Sequence, residues 1–266
     1  VGLWRFEGNA DDSSGLENHG ELVDGALLSD DVPDALGGGE SLRVAGGTQH
    51  VLVPHDVSLD LVEGITIAAW VKPAATGWGA ILAKNPSNNS AANHAGNYEL
   101  RLQNNANQTL QWLYEPGPNA NSTVTLNDSS VTGPAVGEWS HVAVTHDEEN
   151  NYTYYLNGVA TSTASGPAFG QLLNTNPLYI GSRADFFTTL DGYLDDVALF
   201  NGALGQVQIQ AIMDGDFSAF GLSGSNKLQL DIDLAGGELE IKWPSQFGKL
   251  YTLRSSVDPA NDGDPA

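Results

Sequence analysis

The chain has no cysteine, so no disulfide can staple it and the redox compartment leaves no trace in the sequence. Basic residues are scarce: 10 Lys and Arg stand against 33 Asp and Glu, a formal net charge of −23. Such a balance repels phosphate backbones and anionic lipid surfaces, so no nucleic-acid partner is expected. It suits cation binding, and it suits solubility in saline surroundings equally well. No apolar run approaches the roughly 20 residues of a membrane span, so no membrane insertion is expected either. Helical periodicity is nearly absent. No secretory leader precedes the strand-like Leu3-Trp4-Arg5-Phe6; the chain reads as an excised piece of something longer, and export is left open.

What the sequence does hold is β-forming. Its 266 residues, 41% of them hydrophobic, are enough for one large all-β domain or two ordinary ones. Short runs rich in Val, Ile, Thr, Tyr and Trp recur between clusters of Gly, Asn, Asp and Pro. They include HVLVP (50–54), ITIAAWVKP (65–73), YELRLQ (98–103), LQWLYE (110–115), WSHVAVTHD (139–147), YTYYLNG (152–158), PLYIGS (177–182) and YLDDVALF (193–200). This spacing predicts an all-β, two-sheet antiparallel sandwich or a barrel. Asn157-Gly158 reads as a tight hairpin turn, because both residues tolerate positive φ. In the 139–147 run, Val142 and Val144 share a face that His141 does not, and His141 reads as a structural histidine. Trp4, Trp70 and Trp139 read as core aromatics. One short helix is expected over 204–213, with Val207, Ile209 or Gln210, and Met213 on its apolar face.

Composition shifts near residue 221. GLSGSN (221–226) reads as a linker, and KLQLDIDL and ELEIKW beyond it alternate as two strands joined at Ala235-Gly236-Gly237. A further strand is expected over 249–256. The division is therefore a domain over 1–220, followed by a linker and a partial or docked β module over 221–266.

One polar loop stands out: DDSSGLENHGEL, residues 11–22, after the first strand-like run. Asp, Asn, Ser and Gly usually make a solvated turn. The same residues offer an oxygen-rich cage for a hard cation such as calcium, and without Cys there is little to attract zinc.

The segments LWRFEG followed by DDSSGLENHGEL, then HVLVPHDVSLDL, ITIAAWVKP, GEWSHVAVTHD, YYLNGV, PLYIGS and LDGYLDDVALFNGAL occur in a fixed order over residues 1 to 214. In that order they resemble the laminin-G-like jelly rolls of the concanavalin A-like lectin/glucanase superfamily, in the form found in bacterial extracellular proteins. The resemblance implies a jelly roll, a secreted or cell-surface location, and a monomeric module. It also implies a structural calcium between the polar loop and the last strand. In this sequence that set would be Asp12, Asn18 and the carbonyls of His19 or Gly20, with Asp195; Asp11, Ser14 and Glu7 are further candidates. By simple alternation Asp195 shares a face with Tyr193, Val197 and Leu199, and Asp196 with Leu194, Ala198 and Phe200. Both faces are apolar, so each carboxylate needs a compensating partner. The alternative is a hydrogen-bonded loop that pins the first strand to the last without metal.

Catalytic motifs are wanting. No paired-acid strand motif of glycosidases, Ser-His-Asp elbow, P-loop, dinucleotide fingerprint or HExxH occurs. Asp231, Asp233, Glu238 and Glu240 alternate with apolar residues in the tail and read as the solvated face of a hairpin. A binding surface has more support. The loops 84–97 and 115–133 are rich in Asn and Ser, which exchange hydrogen bonds with sugar hydroxyls. In or near them lie Trp78, Asn89, His94, Arg101, Trp112 and Tyr114, while SRADFF (182–187) adds Arg183, Asp185, Phe186 and Phe187. Aromatic faces beside planar polar groups grip pyranose rings. Trp112 reads as core; Trp78 and Phe186 stand open between core and surface. Arg101 and Arg183, rare cations in an acidic chain, point to an anionic saccharide. The reading is a non-catalytic module that binds a polysaccharide or glycan through Trp78, Asn89, His94, Arg101, Tyr114, Arg183, Asp185 and Phe186. The alternatives are a protein-binding adhesion module and a hydrolase or lyase with dispersed acids.

Overall fold

The computed structural model describes residues 1–61, 64–85, 98–115, 123–130, 132–169 and 174–221, together with the backbone of 231–235 and 238–242. The chain divides into two compact units, Val1–Gly224 and Ser225–Ala266. In the second unit, Asp231–Ala235 pairs antiparallel with Glu238–Lys242, the register running from Ala235 opposite Glu238 to Asp231 opposite Lys242. The strand expected over 249–256 lies outside the described residues.

The first unit is an all-β jelly-roll sandwich of two antiparallel sheets. Numbered in chain order, its strands are β1 (Gly2–Trp4), β2 (Glu21–Val23), β3 (Leu27–Ser29), β4 (Ser41–Ala45), β5 (His50–Val53), β6 (Ile65–Pro73), β7 (Gly79–Lys84) and β8 (Tyr98–Leu102). They continue as β9 (Leu110–Tyr114), β10 (Val124–Asn127), β11 (Ser140–His146), β12 (Asn151–Leu156), β13 (Val159–Ser165), β14 (Leu178–Ile180) and β15 (Asp191–Phe200). One sheet runs β13-β12-β11-β6-β15-β4-β3, with β1 also on β15; the other runs β10-β9-β8-β7-β14-β5-β2. Between the sheets lies one apolar core, in which Trp4, Leu42, Val51, Ile67, Leu100, Trp112, Tyr154, Val142, Val144, Leu178 and Val197 are all fully buried. Burial on this scale, at roughly 25 cal/mol per Å² of apolar surface, is what holds two short-stranded sheets face to face.

The long central strands read as continuous apolar runs because both of their faces are covered. The inner face meets the opposite sheet, and the outer face meets a helix, α1 (Gln206–Met213). Ile209 and Ile212 of α1 pack with Leu3, Ala68, Ala143, Tyr155, Ala198, Phe200 and Phe217 in a second, smaller core. The expected helix is thus present, but its buried stripe is Ile209 and Ile212, whereas Val207 is 79% exposed. Gln208 Oε1 accepts from Gly205 N–H (2.9 Å) and so fixes the helix start. Trp70 lies beneath the helix end, donating from Nε1 to Met213 O (3.1 Å). Trp139 is not core at all: it is half-buried on the outer face beside Tyr193, with ring centroids 6.2 Å apart.

The Asn157-Gly158 turn closes β12 on β13, with φ of 49° and 72°. Positive φ at both positions matches the right-handed twist of the flanking strands. His141 is buried at 1% exposure, and burial alone pushes its imidazole down to about 3. It is a neutral structural ring, edge-on to Trp70 at 5.5 Å. In β15 the alternation breaks. Asp195 faces Trp70 of β6 and Ala198 faces Ala68, so three steps on one strand meet two on the other, a β-bulge. Asp196 takes φ of 41° there. As a result Leu194, Val197 and Leu199 all enter the inner core, which corrects the simple-parity assignment of both aspartates.

Candidate functional site

The outer face of the second sheet carries a cavity of about 470 Å³, lined by Trp78, Arg101, Arg183, Asp185, Phe187 and Thr188. Pockets for small ligands run from roughly 300 to 1,000 Å³, so this one is of usable size. Four residues expected from the sequence, Trp78, Arg101, Arg183 and Asp185, meet in it, although they come from separate stretches of chain. Alternation along β8 explains part of this. Leu100 and Leu102 point into the core, which turns Glu99 and Arg101 outward together. Arg101 is placed by three neighbours. Its Nε donates to Gln111 Oε1 (2.7 Å), its Nη1 to Glu99 Oε1 (3.3 Å), and its guanidinium lies 4.5 Å from the centre of the Trp78 ring.

Glu99 sits at the base of the network. Its Oε2 accepts from Asn85 Nδ2 (3.3 Å) and lies 3.4 Å from Arg183 Nε, close enough for an ion pair but without hydrogen-bond geometry. Burial raises the Glu99 carboxyl above the usual carboxylate range, while Arg183 and Arg101 pull it back down. Both of its oxygens are engaged, so it braces the site. Arg183 Nη2 is 3.3 Å from Asp185 Oδ2. Asn85 Oδ1 also accepts from Ala184 N–H (3.3 Å), which ties the 182–187 loop to the sheet. Two buried polar atoms of lining residues, Arg183 Nε and Thr188 Oγ1, have no hydrogen-bond partner among the described residues.

The structure redistributes the other expected binding residues. Phe186 adopts φ of 56°, and its N–H closes a turn onto Arg183 O (3.0 Å). Its ring consequently lies against His50, at 5.4 Å, and outside the cavity. Phe187 lines the cavity instead and is 80% exposed. Tyr114 is no surface residue: it is 1% exposed, packs on Trp112 and Phe169 in the core, and donates its hydroxyl to Pro167 O. Trp112 is core as expected. Asn89 and His94 lie outside the described residues. Glu99, Gln111 and Thr188 join the site without a sequence motif to announce them, and Phe187, named in the SRADFF cluster, takes the place expected of Phe186. The outward parity of Glu99 with Arg101 was the available signal for the first of them.

The polar N-terminal loop resolves into a hydrogen-bonded clasp. Asp12 Oδ1 accepts from Leu3 N–H (2.9 Å) and Ser14 N–H (2.8 Å), and Oδ2 from Ser14 Oγ (2.7 Å) and Asn18 N–H (3.0 Å). A carboxylate has about four lone-pair positions, and these donors fill them. Asn18 is equally occupied. Its amide donates to Val1 O and Ser58 Oγ, each at 2.9 Å, and its backbone carbonyl accepts from Trp4 Nε1 (2.9 Å). Gly20 N–H donates to Ala10 O (2.9 Å), and a Cβ at Gly20 would fall 2.5 Å from Val51 Cγ1, so the backbone passes tightly over the core. Asp195 belongs to a different set, with Asp196, Glu7 and Arg5 as its electrostatic neighbours. Arg5 Nε pairs with Asp196 Oδ1 at 3.0 Å. Among the described residues no group of three His, Asp or Glu side chains could hold a metal ion. The calcium set Asp12, Asn18, Gly20 and Asp195 therefore does not fit a shared cation as arranged: N–H and O–H donors already surround Asp12.

The profile of the Laminin_G_3 family, described as the concanavalin A-like lectin/glucanases superfamily, matches residues 45–210. No curated protein sequence matches the chain. Among solved structures, the botulinum neurotoxin serotype G binding domain superposes with a TM-score of 0.60 at 13% identity, over 80% of this chain and 50% of that one. This chain thus spans half the length of that toxin domain. Domain 4 of AbnA, a GH43 extracellular arabinanase from Geobacillus stearothermophilus solved in complex with arabinotriose, superposes with a TM-score of 0.58 at 15% identity. That match covers 80% of this chain and 97% of the other. A botulinum neurotoxin type C structure, whose cell entry is described as dependent upon interaction with two ganglioside molecules, gives a TM-score of 0.56 at 15% identity, over 81% and 50% of the two chains. At these identities the superpositions speak to the fold. The profile match covers more than half of the sequence, and with it this chain belongs to the Laminin_G_3 family of the concanavalin A-like lectin/glucanases superfamily.

Proposed function

We propose that the protein is a carbohydrate-binding module that takes a neutral glycan in the cavity between Trp78 and Phe187. The observation that carries this reading is a cavity walled by two aromatics, Trp78 and Phe187, with Arg101, Arg183, Asp185 and Thr188 beside them, in which Thr188 Oγ1 is buried without a hydrogen-bond partner among the described residues. A buried polar atom without a partner costs about 1–3 kcal/mol, and sugar hydroxyls are both donors and acceptors that relieve it. Aromatic walls supply the apolar contact that a pyranose face needs. The arabinotriose complex of the arabinanase domain supports the class of ligand for this fold.

Neutrality follows from the ion pairs. Arg5, Arg43, Lys72, Lys84, Arg101 and Arg183 each lie beside a carboxylate. In the cavity the guanidiniums of Arg101 and Arg183 face Glu99 and Asp185, which leaves no unpaired cation among the described residues for an anionic sugar. A net charge of −23 repels an anionic polymer as well. The charges in the site then orient hydroxyls and do not neutralise a carboxylate. On a glycan array, neutral polymers should be retained and polyuronates should not. Trp78→Ala or Phe187→Ala should each weaken retention on the order of 10- to 100-fold, the loss of one buried aromatic contact of about 1–3 kcal/mol. The melting temperature of Phe187→Ala should stay at the parent value, because that ring is 80% exposed. Unchanged retention in both variants would remove the cavity from consideration.

A further inference from the structure

A second cavity, of about 190 Å³, lies against the segment that carries Trp78. Thr76, Asn107, Gln108, Thr132, Gly133 and Ala135 are among its lining residues. Thr76 lines this cavity and Trp78 lines the first, so one short turn separates the two. Two residues of chain span at most about 7 Å between Cα atoms, so the residues lining the two cavities lie close along the chain.

The turn is held from below by Gln108. This residue is 2% exposed and sits in a left-handed conformation, φ 46°. Its Nε2 donates to Ala75 O (3.3 Å) and Gly77 O (3.4 Å), the carbonyls that flank Thr76. Its Oε1 is buried and has no hydrogen-bond partner among the described residues. The opposite wall packs closely. Gly133 N–H donates to Asn107 O (2.9 Å), and a Cβ at Gly133 would fall 2.2 Å from Gln108 O, so only glycine lets the 132–135 segment pass this close. Seven buried side-chain polar atoms of the described residues lack partners, and three of them, on Gln108, Arg183 and Thr188, belong to residues lining these two cavities.

We infer that the two cavities are consecutive subsites of one groove, with Trp78 as the ridge between them, and that the groove reads a glycan chain of at least two neutral residues. This rests on the carbohydrate reading above. In this arrangement Arg101 beneath Trp78 and Gln108 beneath Thr76 fix the ridge from two sides. The first sugar residue meets Thr188, Arg183 and Phe187, and the next meets Thr76 and Thr132, which line the second cavity.

Calorimetric titration with neutral oligosaccharides of one to six residues, in arabinose, xylose, glucose and galactose series, tests the inference directly. The parent protein should bind a trisaccharide at least about tenfold more tightly than the monosaccharide of the same series, the contribution of about one further hydrogen-bonded contact. Ala135→Trp and Ala106→Trp, both at exposed positions on the rim of the second cavity, should erase that gain while keeping the monosaccharide affinity and the melting temperature. Equal affinity for mono- and trisaccharide in the parent protein would overturn the two-subsite groove and leave the single site standing. A length gain that survives both tryptophan variants would overturn it too. If no series binds the parent protein at all, the carbohydrate reading falls, and the groove with it.

Discussion

Asp195→Asn should raise the melting temperature at pH 8 and flatten its dependence on pH. Asp195 is 1% exposed, and burial, with Asp196 beside it, pushes its carboxyl up to about 8. In the unfolded chain the same group titrates near 3.9. Between those values the folded state holds a proton that the unfolded state has released. Stability therefore falls as pH rises from about 4 to about 8, and this contribution is flat outside that window. A carboxyl titrating alone across that whole window would change stability by about 6 kcal/mol. Asp196 is raised as well, so the two acids share the proton uptake and the effect belongs to the pair. His141 runs the other way. Its pKa is lowered to about 3, so stability is lost as pH falls below the ordinary histidine value near 6.5. The parent protein should thus gain stability from pH 8 down to about 6.5 and gain little below it, where the acid pair and the histidine oppose each other.

Asparagine keeps the shape at position 195 without the charge, so most of the rise between pH 8 and 6.5 should vanish in the variant. Thermal unfolding across that range measures it. The same scan also separates a proton from a cation. Curves in millimolar calcium and in chelator should coincide, because Asp12 is saturated by donors and Asp195 lies in another set. A calcium-dependent rise in melting temperature that Asp195→Asn abolishes would mean that a cation, and not a proton, balances the acid pair.

Arg101→Met is expected to abolish glycan retention and to destabilise the fold by about 3 kcal/mol, at the low end for breaking a buried pair. The side chains of Arg101 and Glu99 are 12% and 5% exposed, so removing the guanidinium leaves a carboxylate that burial already penalises. Arg183 remains 3.4 Å away and tempers the loss. Adding Glu99→Gln should restore most of the stability, since no buried carboxylate is then left without its partner. It should not restore binding, because Trp78 has lost the cation beneath it and Gln111 has lost its donor. Chemical denaturation and array retention, measured on both variants, separate these roles. A single variant that still retains glycan would show that the network only braces the sheet.

The strands were the most legible part of this sequence. The expectation for 65–73 coincides with β6, and those for 98–103, 110–115, 139–147 and 152–158 match β8, β9, β11 and β12 to within a residue or two. Apart from the half-buried β12 these strands are largely buried, and their Val, Ile, Tyr and Trp content is dense enough to stand out. β2, β3, β10 and β13 do not stand out in this way. β13, VATSTAS, is largely exposed and polar, and β2 and β3 have three residues each. Segments so short or so polar carry no periodic signal, and only pairing with a neighbour makes them strands. In the site, Arg101, Arg183, Trp78 and Asp185 were legible as rare cations and aromatics in polar loops. The exchange of Phe186 for Phe187 was not. It turns on one left-handed residue in a turn, and the sequence FF offers no sign of which ring faces out.

The sequence by itself determined the class of fold, the Asn157-Gly158 hairpin turn and the closing helix, because these depend on local periodicity and on residues tolerant of positive φ. It also determined the acidic character that disfavours anionic partners. Tertiary structure alone decided where the carboxylates stand. One inserted residue in β15 sends Asp195 and Asp196 out of simple alternation, and four donors from separate parts of the N-terminal segment make Asp12 a hydrogen-bonded clasp. It likewise decided that Arg101 and Arg183, 82 positions apart in the numbering of the chain, share Glu99 beneath one cavity. Ion pairing between distant segments depends on which strands become neighbours, and strand order is set by how two sheets bury a common core, a property that no single stretch of sequence carries.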